Sequence, residues 1–281
     1  MKIKLVTGLF ILGVFMTACD KISNPIQNAS NSVDTATYVR KVLLEDYTGH
    51  FCGNCPPAAE VASQLVESNH GKVIAIAVHA GFYAKLYPPD YVTSFTTAVG
   101  NDWDGTQGFN VSGIGNPNGM VNRKSYGGSG VVQKETKWPT SVSLALQDQY
   151  VLGLTISKTY NASSRILNST VKAKFKIAYS NNVKLNLVLV EDSIISEQKD
   201  YRKNPDLVTN YLFMHLLRAG INGSWGSTLK DAPIAAKDSV SLDFNNFAVD
   251  SKFNDNHLYL VAFAYDASTK EILQAEKLKI R

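Results

Sequence analysis

Cysteine is scarce in this chain: three residues among 281, at positions 19, 52 and 55. That is too few for the dense disulfide framework of a small secreted domain, and an odd count leaves one thiol over. Two thiolates do not complete a tetrahedral zinc site and no second CxxC pair exists, so neither a metal nor a cofactor is expected. Charge is sparse and nearly balanced, with 28 Lys and Arg against 24 Asp and Glu. Such a surface has no basic field for nucleic acid, which is not expected as a partner. Long apolar runs are also missing. Leu5 to Phe15 is the best of them, and it falls short of the ~20 residues that cross a bilayer as a helix. With 44% hydrophobic residues the chain is nevertheless rich enough for a proper core. Its length favours two domains over one.

What is present begins with targeting chemistry. Lys2 and Lys4 precede the short apolar run, and Met16-Thr17-Ala18-Cys19 closes it. This stretch resembles a bacterial lipobox, with methionine where leucine is usual. The resemblance implies a lipoprotein signal peptide over residues 1–18 and lipid attachment at Cys19. The membrane is then a partner, because several acyl chains anchor stably where one does not. It also leaves Cys52 and Cys55 as a pair. Residues 19–37, rich in Asn and Ser and without apolar periodicity, read as a flexible tether.

The central stretch is Phe51-Cys52-Gly53-Asn54-Cys55-Pro56. Before it, residues 38–47 are rich in β-branched and aromatic side chains and read as a strand. After it, Pro56 and Pro57 suit a first helical turn, and Ala58, Val61, Ala62, Leu65 and Val66 recur at helical spacing. Val73 to Val78 is an unbroken apolar run, as expected of a strand buried on both faces. Strand, CxxC turn, helix and strand make a βαβ unit. A thiolate at a helix start is stabilised by free backbone N–H groups and the helix dipole. The pair is then either a redox couple or a staple.

This order of elements resembles thioredoxin-fold proteins, and implies a thioredoxin-like α/β domain over residues 38–148. The resemblance assigns Cys52 as the exposed nucleophile and Cys55 as the buried resolving thiol. It assigns Asp46 as a buried acid able to take the Cys55 proton, and Pro117 as the cis proline before the strand facing the cysteines. Two positions depart from the pattern: Gly53-Asn54 replaces the common Gly-Pro, and Asn116 stands where an apolar residue usually precedes the proline. Residues 80–108 read as an aromatic-rich insertion with a short helix from Tyr91 to Val99, and 131–147 as a closing helix.

Residues 149–281 read as a second domain, an antiparallel, immunoglobulin-like β-sandwich. Strands are expected at 150–160, 169–179, 184–191, 239–247, 257–265 and 271–280. Val171, Ala173, Phe175 and Ile177 alternate with lysines in the manner of a half-buried strand. The stretch 211–218 fits helix and strand alike. Its sequence His215-Leu216-Leu217-Arg218-Ala219, with Gly223-Ser224-Trp225-Gly226 after it, is similar to the twenty-eight-kilodalton outer-membrane lipoprotein family of Bacteroidetes. That resemblance implies a strand at 211–218 and an outer-membrane location on an unspecified side. His215, Arg218 and Trp225 then mark either a binding site or one buried structural motif. Two functions follow for an envelope protein whose partners are other envelope or surface proteins. One is thiol–disulfide exchange at Cys52–Cys55. The other is non-enzymatic surface binding with the pair as a structural disulfide.

Overall fold

The computed structural model describes residues 38–281; the expected leader, Cys19 and the tether lie outside the described residues. The N-terminal half contributes β1 (Val42–Thr48), α1 (Cys55–Ser68), β2 (Val73–His79), α2 (Ala98–Asp104), α3 (Val111–Ile114), β3 (Asn118–Val121) and α4 (Trp138–Ala145). The rest is strands: β4 (Leu152–Asn161), β5 (Ile166–Phe175), β6 (Val183–Glu191), β7 (Ile194–Lys199), β8 (Leu207–Phe213), β9 (Leu216–Gly220), β10 (Ser227–Lys230), β11 (Ser239–Ala248), β12 (Leu258–Asp266) and β13 (Ile272–Lys279).

One eight-stranded mixed sheet runs β13-β12-β6-β9-β2-β1-β3, with β10 also on β6. β1 and β2 are parallel, joined through α1, and β3 pairs antiparallel with β1 so that Gly119 faces Asp46. Strands from the two ends of the sequence meet where β2 pairs with β9 at Ala77 and Leu216. The sheet therefore crosses the expected boundary at 148, and residues 38–281 cluster as one unit.

A three-stranded sheet, β11-β5-β4, packs on the C-terminal part of the large sheet. Leu154, Val171 and Phe175 lie on one side of that core, and Leu187, Leu189, Leu260 and Ala262 on the other. The intervening residues of β6 and β12 are buried too: Val188, Val190, Val261 and Phe263 join a second core with Tyr47, Trp103 and Met120. The expected strands were half-buried; these two are covered on both faces, because helix α2 of the N-terminal half packs against their second face, where Trp103 meets Phe263 with ring centres 5.8 Å apart. A third core lies under α1 and α4, around Leu44, Ala58, Val73 and Trp138.

Local chemistry moves several boundaries. The helix expected from Tyr91 to Val99 instead begins at Ala98, where the Thr97 side chain caps Gly100 N at 2.9 Å. The preceding residues are held extended, with Val92 and Thr93 both donating backbone N–H groups to Glu197 at 2.8 Å. The closing helix is a short 3₁₀ turn followed by α4, and Pro139 falls in the first turn of α4, where its missing N–H costs nothing. The ambiguous stretch at 211–218 is strand, β8 and β9, broken by His215 at φ 60°.

Candidate functional site

Cys52 and Cys55 form a disulfide. Cys55 is the first residue of α1, and its N–H donates to the Cys52 carbonyl at 3.1 Å, closing the turn. The thioredoxin-like pattern implied an exposed Cys52; here Cys52 and Cys55 are each only 2% exposed. The cover is the β7–β8 hairpin. Lys199 N–H donates to the His50 carbonyl at 2.8 Å and Tyr201 N–H to the Gly53 carbonyl at 3.0 Å. The Gln198 side-chain amide, itself 2% exposed, donates to the Cys52 carbonyl at 3.1 Å. The Tyr201 ring lies so close over Gly53 that a Cβ there would come within 2.6 Å of it. Arg202 then bridges the hairpin tip to α1 through both oxygens of Glu60.

The other flank of the turn is covered by the aromatic insertion. Phe51 stacks on Tyr87 with ring centres 4.2 Å apart and meets Tyr91 edge-on at 5.2 Å. Lys199 Nζ sits 4.5 Å above the Phe51 ring. His50 is buried, with Nε2 2.8 Å from the Lys85 carbonyl. These aromatics pack the loop rather than floor an open surface.

Beneath the disulfide lies a cavity of about 680 Å³, between α1, the ends of β1 and β2, and the hairpin. Cys55, Asp46, His79, Asp192, His215 and Lys277 all line it. Asp46 is buried with Oδ1 unpartnered; burial, and then the charge of Glu135, raises its pKa to about 7. His79, one residue past the run Val73 to Val78, is equally buried, and neither ring nitrogen has a hydrogen-bond partner. Burial, followed by His50 and Arg218, lowers its pKa to about 3, so it is neutral. At the far end His215 Nδ1 lies 3.0 Å and Lys277 Nζ 3.2 Å from Asp192. Burial pushes Asp192 upward, but the hydrogen bond and charge of His215, with Lys277, outweigh it and hold the carboxyl well below its usual range.

The structure thus brings together the Cys52–Cys55 pair, Asp46 and His215 from the residues singled out in the sequence, and leaves Pro117, Arg218 and Trp225 apart. Pro117 follows a cis bond and precedes β3, but does not line the cavity. Arg218 pairs with Glu191 at 3.1 Å and stacks on Phe253, and Trp225 packs against Phe109 under Lys270. Neither lines the cavity. His215 has a structural task as well: its N–H donates to Asp192 and its carbonyl accepts from Ala77, both at 2.7 Å, joining β9 to β2. His79, Gln198 and Tyr201 were missed. For His79 a signal existed, a histidine closing an apolar strand next to the CxxC strand. For the hairpin residues none did.

Fold and site together define a mainly β protein with a buried CxxC disulfide at the start of a helix, set over a partly open cavity. By sequence the chain belongs to the outer membrane protein Omp28 family, whose model matches residues 106–281. It is therefore a cell-envelope, outer-membrane protein. The matched region holds Pro117, His215, Arg218 and Trp225, and begins after Asp46, Cys52, Cys55 and His79. No curated protein matches the chain. Among solved structures, HBP35 of Porphyromonas gingivalis superimposes with a TM-score of 0.63 at 17% identity, over 87% of this chain and 76% of that one. A protein from Agrobacterium tumefaciens reaches 0.50 at 12% identity, over 88% and 97%. A domain of the outer membrane lipoprotein Omp28 from Porphyromonas gingivalis aligns at 0.31 and 18% identity, over 48% and 91%.

Proposed function

We infer that this protein is a lipid-anchored, non-enzymatic binding protein of the outer membrane, held through Cys19, with Cys52–Cys55 as a structural disulfide beside its binding cavity. The carrying observation is the seal: both sulfurs are buried beneath a hairpin that bonds to the backbone on both sides of Cys52. An exchange centre needs a sulfur that a partner thiolate can reach in line. The N-terminal half is read as thioredoxin-like. In support, β1, α1 and β2 form a parallel βαβ unit, β3 lies antiparallel to β1, and Pro117 precedes β3. A fold of that kind does not carry a redox function by itself.

One observation favours the second reading, thiol–disulfide exchange on envelope proteins. Asp46, with its raised pKa, shares the cavity wall with Cys55, a setting suited to proton transfer during release. The test separating the two is the reduction potential of Cys52–Cys55 in the mature protein, together with trapping of partners on a Cys55→Ala variant in cells. A structural pair lies below about −300 mV and traps nothing. An envelope protein captured as a mixed disulfide on Cys52 would overturn the binding reading.

A further inference from the structure

We propose that the cavity under the β7–β8 hairpin binds a neutral, mainly apolar ligand bearing an amide group, with His79 and Asp46 as its hydrogen-bonding partners.

The volume of about 680 Å³ is that of a small-molecule site, which is typically apolar with a few placed polar groups. Ala62, Val66, Ala75, Ala77 and Phe213 form its apolar wall, facing a set of polar groups that includes Asp46 and His79. Buried polar side chains almost always have partners, so an orphan demands an explanation. Here two occur on adjacent parallel strands, β1 and β2, and both line the same cavity. His79 has neither nitrogen satisfied, and Asp46 has one free oxygen. His79 is not held there by alternative chemistry, since its ring is surrounded by Phe95 at 5.3 Å, Phe213 at 5.5 Å and His50 at 6.4 Å.

The donor and acceptor count selects the ligand. A neutral imidazole offers one N–H donor and one acceptor nitrogen, and a protonated carboxyl likewise offers both. An amide, with its own N–H and C=O, answers each of them. An anion does not fit: Asp192 and Glu67 line the cavity, and its one lysine, Lys277, is already paired with Asp192. Burying an uncompensated carboxylate there would be strongly unfavourable.

The probes are N-acetyl-L-leucinamide, neutral, and N-acetyl-L-leucine, which keeps the acetamide but replaces the second amide by a carboxylate, anionic at neutral pH. The mature full chain in lipid nanodiscs is heated with each while the fluorescence of buried Trp103 and Trp138 is followed. A ligand of the folded state raises Tm in a saturable way. The amide is expected to raise it at millimolar concentration, and the acid to require at least tenfold more. His79→Leu should abolish the amide-dependent rise while leaving the free protein at least as stable, because removing an unpaired buried polar group for an apolar one is not costly. Ser63→Phe, at a half-buried position on the α1 wall of the cavity, should abolish the rise by filling the space, and serves if the His79 variant does not fold. No saturable rise in the wild type, an equal rise with the acid, or an undiminished rise in both variants would overturn the proposal. The ligand class rests on the cavity being the binding centre, and the two fail separately. A partner trapped on Cys52 with the amide response intact removes the non-enzymatic reading alone. A deep, inert disulfide with no amide response removes the ligand class alone.

Discussion

Asp46 and His79 are buried ionisable groups that bend the pH dependence of stability in opposite directions. Folded Asp46 keeps its proton up to about 7, whereas its ordinary value is 3.8. Between those values the folded state binds more protons than the unfolded chain. Its favourable share is therefore complete below about pH 4 and is lost as pH rises through 7. Folded His79 refuses a proton down to about 3 against an ordinary 6.5, so its share is complete above 6.5 and is lost as pH falls. Asp46→Asn has no carboxylate to bury. It is expected to match the wild type near pH 4, to gain stability over it progressively toward pH 7, and to hold that gain above. Urea midpoints measured across that range check the sign, and a pH-independent difference would contradict it. The place of Asp46 in the chain, six residues before Cys52 on a strand, made it legible as a buried acid. His79 carried only a weak signal, its place at the end of an apolar strand, because nothing local distinguishes a strand-end histidine with partners from one without.

At the scale of elements the β7–β8 hairpin decides how the disulfide behaves. Its hold on the turn is mostly backbone hydrogen bonding plus the buried Gln198 amide. The Arg202–Glu60 bridge, 44% and 55% exposed, adds little. Gln198→Ala removes this donor from the Gly49 and Cys52 carbonyls, which keep the N–H groups of Cys52 and Cys55, a loss on the order of 1 kcal/mol. Local opening of the hairpin should become correspondingly easier. Reduction of Cys52–Cys55 by dithiothreitol, followed by maleimide labelling, is expected to accelerate about fivefold (each 1.4 kcal/mol being a factor of ten). Unchanged rates would mean that the hairpin does not control access. The hairpin was invisible in the sequence because residues 193–213 carry no sustained alternation, and the segment is stabilised by partners some 150 positions away. The long central strands were the reverse case. Their apolar content showed plainly, and the near-continuous runs in β6 and β12 already carried the mark of burial on both faces; the alternation of neighbouring β5 drew the reading toward half-buried strands.

For the whole molecule the question is whether its two halves unfold together. Besides the hairpin's hold on the CxxC turn, three further sets of contacts help to bind them. β2 joins β9 within one sheet. The β1 approach is tied to β13 by Lys41 N–H donating to Gln274 and by Gln274 donating to the Val39 carbonyl. The third is Arg123, which forms a two-pronged pair with Glu45 at 2.7 and 2.9 Å, both side chains being almost wholly buried. Its guanidinium also sits 4.9 Å from the Trp103 ring and 5.1 Å from Phe263 on β12. Arg123→Ala strands the Glu45 charge inside and should cost about 3–5 kcal/mol. Because the residue touches both halves, near-UV and far-UV transitions should shift together as one cooperative step. A separate, unshifted transition of residues 149–281 would show the C-terminal strands to be an independent unit.

The sequence by itself determined the local elements: the strand–CxxC–helix–strand order, the pairing of Cys52 with Cys55, the long strands β4, β5, β6, β11, β12 and β13 of the C-terminal half and the envelope address. Each depends on periodicity, turn chemistry or short motifs, interactions that act within a few residues and leave their mark on the chain. The tertiary structure decided whether the disulfide is reachable, which side chains surround the cavity, and that one sheet runs through both halves. Those outcomes rest on surfaces meeting from opposite ends of the chain: Gln198 on Cys52, His215 on Ala77, Arg123 on Phe263. Packing complementarity between such distant segments is set by burial and hydrogen-bond satisfaction in three dimensions, and it leaves no periodic trace in either segment alone.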